Sequence, residues 1–106
     1  MLTIPQQVKK KVVALDPKAK VILFGSRARG DFREDSDWDF LILLPYKTTP
    51  AEKRKICDLL YDIELETDQV ITSIIEEMQL WEAYQETTFF KNVKKEGVEV
   101  NLPKEA

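Results

Sequence analysis

The stretch from Asp37 to Pro45 constrains this chain most. An apolar run, Trp38 to Leu44, is stopped by Pro45, and two aspartates, Asp37 and Asp39, stand at its start. A short run of this kind reads as a strand. On a strand, residues two apart point to the same face, so the two carboxylates lie side by side at one end of an otherwise apolar sheet. Like charges held this close repel and shift each other's pKa. A divalent cation removes that repulsion, and magnesium favours one or two carboxylates completed by phosphate oxygens and water. A plainer reading is a polar strand end whose carboxylates cap loop amides.

The segment before it supplies a counterpart. Val21-Ile22-Leu23-Phe24 reads as a buried strand, and Gly25 ends it. A glycine lets backbone approach a phosphate without a side chain in the way. A turn after a strand can aim N–H groups at an anion. Ser26 adds a hydroxyl, and Arg27 and Arg29 add charge with paired donors that suit phosphate. The plainer alternative is a strand-ending glycine with solvated arginines.

Around this pair, Val8, Val12, Val13 and Leu15 have near-helical spacing after Pro5, and Asp16-Pro17 ends that helix. Ile56, Leu59, Leu60 and Ile63 predict an amphipathic helix from Thr49-Pro50 to about Glu66. Val70 to Ile75 reads as a third strand. Two short helices follow, one carrying Met78, Leu80, Trp81 and Tyr84, the other Phe89, Phe90 and Val93 and closed by Gly97. Val98 to Val100 adds an extended end. The exposed-or-core aromatics Trp81, Tyr84, Phe89 and Phe90 are read as core packing. The expectation is one α/β domain of the α+β type over residues 1–106, a small mixed sheet covered by helices.

Composition removes several chemistries. There is no histidine and one cysteine. Catalytic triads with histidine, the common zinc sites and an internal disulfide are therefore excluded. Cys57, beside helical core positions, reads as a small buried hydrophobe. No apolar run approaches the ~20 residues that span a bilayer, and no signal segment is visible at the N-terminus. A cytoplasmic protein is expected. The net charge of −3 argues against bulk nucleic-acid binding. The charge is unevenly placed: residues 1–33 carry eight Lys/Arg and two Asp, residues 34–106 eight Lys/Arg and seventeen Asp/Glu. The sign changes beside the Gly25–Asp39 stretch, as a site for a metal-bound polyphosphate needs.

Taken together, Phe24-Gly25-Ser26, ten intervening residues and Asp37-Trp38-Asp39-Phe40 resemble the signature of the polymerase-β-like nucleotidyltransferase superfamily. The string Gly-Ser-Arg-Ala-Arg-Gly followed by Ser-Asp-Trp-Asp resembles its minimal nucleotidyltransferase branch, and Phe90 to Val98 looks like that branch's closing segment. The likeness runs from about Val21 to Val100. It implies a palm-like fold and transfer of a nucleoside monophosphate, with AMP from ATP the expected case, to a protein acceptor. It implies that Gly25 and Ser26, aided by Arg27 or Arg29, hold phosphates, and that Asp37 and Asp39 hold Mg2+. Catalytic members usually carry a third carboxylate on a later strand. Here the interior of Val70–Ile75 has no acid, and Asp68 before it is the better candidate than Glu76 after it. Minimal members lack an acceptor-gripping lobe and are often paired with a small helical HEPN-type partner, as the antitoxin of a toxin–antitoxin module. The alternative is an inactive nucleotide-binding antitoxin or regulatory subunit acting by contact; a nucleic-acid-tailing enzyme is a third reading, disfavoured by the acidic charge.

Overall fold

The computed structural model describes residues 2–103. Thr3 starts the first helix, α1 (Ile4–Leu15). Its side chain accepts from the Gln6 N–H while the Gln6 side chain accepts from the Thr3 N–H, so two otherwise orphaned donors are satisfied. Strand β1 (Lys20–Phe24) follows, then a single turn of helix, α2 (Ser26–Arg29), then β2 (Trp38–Leu44). Thr49 caps the long helix α3 (Pro50–Thr67), which leads to β3 (Ile71–Glu77). Helices α4 (Met78–Ala83) and α5 (Thr88–Glu96) and a two-residue strand, β4 (Val98–Glu99), complete the order.

The sheet runs β3-β2-β1-β4. β1 pairs antiparallel with both β2 and β4, whereas β2 and β3 are parallel. A parallel pair needs a crossover, and α3 is that crossover. β2 is central, and its apolar residues serve both faces. Phe40, Ile42 and Leu44 pack with Val21 against Val8 and Val12 of α1 and Ile56, Leu60 and Ile63 of α3. Leu41 and Leu43 face the other way, onto Trp81, Phe90 and Val93 of α4 and α5. This is the mixed sheet with helical cover that the sequence predicts.

Three local expectations change. Val70 lies outside β3, which runs two residues further than expected, to Glu77. The cause is pairing: Leu44, the last residue of β2, sits opposite Glu77, so the ladder continues past the β-branched run. Cys57 is exposed, because the buried stripe of α3 is Ile56, Leu60 and Ile63 and the next position rotates out of it. Of the four aromatics read as core, Trp81 and Phe90 are buried, but Tyr84 and Phe89 are exposed.

Ile42→Ala removes a fully buried side chain of the central strand. It is expected to cost about 2–5 kcal/mol in urea unfolding. Cys57→Ser, on the exposed face of α3, is expected to change the same measurement by less than about 0.5 kcal/mol.

Candidate active site

The antiparallel register of β1 and β2 sets Phe24 directly opposite Asp39. The chain leaves β1 at Gly25 and therefore turns against the start of β2, where the carboxylates are. Gly25 has φ 76° and ψ −160°, outside the range that other residues adopt readily. A side chain built there would run into the Asp39 carboxylate. Glycine is thus required twice over, by its backbone angle and by the contact. Immediately after it, α2 begins with no side-chain cap on its first N–H groups. Ser26 is half-buried at this turn.

Asp37 is exposed and Asp39 half-buried. Partial burial, then the nearby Asp37 charge, holds the Asp39 carboxyl above the usual carboxylate range, and the positive Arg29 acts in the opposite sense. The repulsion expected from the spacing is present. β2 begins at Trp38, so Asp37 stands in the loop just before the strand rather than on it, close enough to act on Asp39. The donor set fits magnesium: two neighbouring carboxylates beside a turn with donors for phosphate.

The two arginines divide. Arg27 is sandwiched between the rings of Phe32 and Trp38, 4.5 and 4.4 Å from their centroids. Its guanidinium donates to the carbonyls of Ser36 at 3.3 and 3.0 Å and Glu34 at 3.0 Å. These contacts strap the loop 31–37 that delivers Asp37. Trp38 passes the restraint on, since its indole N–H donates to Gln69 at 3.1 Å. Arg29 stays by the turn, bridging Asp31 at 3.2 Å and Glu96 of α5 at 3.1 Å. Sequence reasoning missed Glu96 and the Phe32–Trp38 clamp. The only signal for the clamp was aromatic residues on either side of a polar loop.

Neither candidate for a third carboxylate lies on β3 at the level of Asp39. Asp68 is the exposed C-cap of α3, in the left-handed region at φ 56°, a conformation aspartate tolerates. Its N–H donates to the Glu64 carbonyl, while the Glu64 carboxylate accepts from the Ile71 N–H at 2.7 Å, so the segment is built as a connection. Glu76 lies within β3, opposite Leu43, whereas Thr72 is opposite Asp39. Four strand residues separate these levels, ~13 Å. Among the described residues, no three acids, cysteines or histidines gather into a metal-holding group.

The end of the mixed sheet thus brings together a glycine turn, the Asp39 carboxylate it presses against and a second carboxylate beside it. A nucleotidyltransferase-domain profile matches residues 5–98. Two Methanocaldococcus jannaschii proteins assigned as protein adenylyltransferases are 37% identical, one over 94% of this chain and 98% of its own length, the other over 74% and 73%. The chain belongs to the nucleotidyltransferase domain family. Its fold is shared with a crystal structure of a toxin–antitoxin with AMP-PNP, at TM-score 0.63 and 15% identity over 93% of this chain and 73% of that one. A mutant of the MntA–HpeT toxin–antitoxin matches at TM-score 0.63 and 14% identity, over 96% and 75%.

Two outcomes are expected. Asp39 is an acid whose pKa is raised by folding, so its charge opposes folding in full above that raised value. The opposition vanishes as pH falls to the ordinary aspartate value near about 4. Asp39→Asn should raise the thermal midpoint of the nucleotide-free protein at neutral pH by a few degrees at most, the effect being screened by solvent, with the gain shrinking on acidification. Arg27→Met removes the loop strap, and hydrogen exchange in residues 31–37 should accelerate about tenfold.

Proposed function

We propose that this single domain is a magnesium-dependent adenylyltransferase that moves AMP from ATP to a hydroxyl of a protein acceptor and acts as the antitoxin of a toxin–antitoxin pair. The observation that carries the reading is Gly25 pressed against Asp39, with the Asp37 carboxylate close enough to act on Asp39 from the loop just before β2. Membership of the family supports transfer of a nucleotidyl group. The assignment of the M. jannaschii relatives supports a protein acceptor. The fold shared with toxin–antitoxin structures supports a partner, for which a small helical HEPN-type protein is the expected class.

In this reading the turn at Gly25 and the Ser26 hydroxyl hold the phosphates, with Arg29 close enough to assist. Asp37 and Asp39 hold magnesium, which neutralises charge on the phosphates and on the departing pyrophosphate. The acceptor hydroxyl gives up its proton to solvent as its oxygen bonds to the α-phosphorus. The bond from that phosphorus to the bridging oxygen breaks, and pyrophosphate leaves with the electron pair. The strap from Arg27 keeps Asp37 in place, so positioning is prepared before substrate arrives. No helix of the described residues is long and apolar enough to cross a membrane. The cytoplasm, where ATP and magnesium are available, is the compartment this reading requires.

One observation favours a second reading. Thr72, not an acid, stands beside Asp39 on β3, and no third carboxylate joins the pair among the described residues. A contact-acting antitoxin that binds nucleotide without transferring it fits that arrangement. Incubation of the protein with host lysate, magnesium and α-phosphate-labelled ATP separates the two. Transfer predicts a labelled protein band with wild type and none with Asp37→Ala/Asp39→Ala. Absence of label from both, with partner binding retained, favours the contact reading.

A further inference from the structure

Beside the phosphate turn is a cleft of about 220 Å³ bounded by Phe24, Gly25, Arg29, Phe89, Asn92 and Glu96. Its volume is below the roughly 300–1,000 Å³ of a site for a drug-sized ligand, so it takes one ring system rather than a whole nucleotide. Its sides are aromatic. Phe89 meets Phe24 edge-on with centroids 5.3 Å apart, and it remains 36% exposed. The Arg29–Glu96 ion pair lies at its polar margin. Asn92 is exposed and lines the cleft. The cleft shares Gly25 with the phosphate turn, so the two are continuous.

We propose that this cleft seats the base of the bound nucleotide, with Phe24 and Phe89 covering its ring system and the Asn92 amide reading its edge. The inference rests on the phosphate site proposed above and adds what selects the nucleotide. Aromatic side chains cover any base, and a two-ring base gains the most from them. An amide gives one hydrogen bond and accepts another, matching the amino group and ring nitrogen of adenine. Guanine presents two acceptors on the corresponding edge and leaves the amide oxygen without a partner. The cleft therefore selects adenine, and α5, which carries Phe89 and Asn92, is the specificity element of the domain.

Calorimetric titration of the full chain with magnesium ATP, GTP, CTP and tripolyphosphate tests this. Wild type should bind ATP at least about tenfold more tightly than tripolyphosphate, which has no base, and more tightly than GTP or CTP. Asn92→Leu should lose about tenfold in ATP affinity and its preference over GTP, with tripolyphosphate unchanged. Phe89→Leu, which keeps apolar volume beside Phe24, should weaken all three nucleotides and spare tripolyphosphate. Equal affinity of wild type for ATP and tripolyphosphate overturns the cleft assignment and leaves the phosphate site standing. So does an unchanged ATP preference in both variants. Failure of wild type to bind tripolyphosphate overturns the phosphate site and this inference with it.

Discussion

Everything at the active end of this domain depends on the register between β1 and β2. Phe24 lies opposite Asp39, so the residue after Phe24 turns directly against the carboxylate. A slip of one residue would turn every side chain of β2 to the wrong face. Asp39 would then point toward α1 and α3, and Phe40 toward α4 and α5. The register is held because β2 is apolar on both faces and fully covered from Phe40 to Leu44. The carboxylates can stand at its end because the rest of the strand is anchored so heavily.

The cost of that placement is electrostatic. Asp39 is partly desolvated beside Asp37, and Arg29 acts against that rise. Arg29 is itself shared with Asp31 and Glu96. The break in charge along the sequence thus becomes a juxtaposition in space, but not by supplying two free arginines for phosphate. Arg27 is committed to the loop that precedes the carboxylates, held between two aromatic rings and by three hydrogen bonds. Much of the basic charge near the turn serves to fix geometry.

What could be read from the sequence followed from spacing. Asp37 and Asp39, two apart at the head of an apolar run, had to lie close together, although β2 begins at Trp38 and leaves Asp37 in the loop before it. Phe24 followed by glycine had to end a strand. The stripe Ile56, Leu60 and Ile63 had to face the sheet. What escaped was set by contacts distant in sequence. β3 extends to Glu77 because β2 lies beside it, and no local propensity encodes that. Glu96 joins the site through a pairing with Arg29 across 67 positions. Cys57 faces solvent because one helical step separates it from Ile56, a distinction finer than composition resolves.

The strand beside the carboxylates shows where the domain's own chemistry stops. On β3 the residues sharing the face of Asp39 are Thr72, Ile74 and Glu76, and of these only Thr72 is at the level of the pair. Ile74 belongs to the core under α4 and α5, and Glu76 lies a strand's length away from the site. Asp68, on the other side of Thr72, ends α3 in a left-handed turn through its backbone N–H. The chain therefore builds one end of the sheet in detail: a glycine turn, a carboxylate pair, a strapped loop and an aromatic-sided cleft. At the level of the pair β3 offers one exposed hydroxyl, that of Thr72. The geometry at this end is fixed by the β1–β2 register and the strapped loop, and β3 adds no acid at that level.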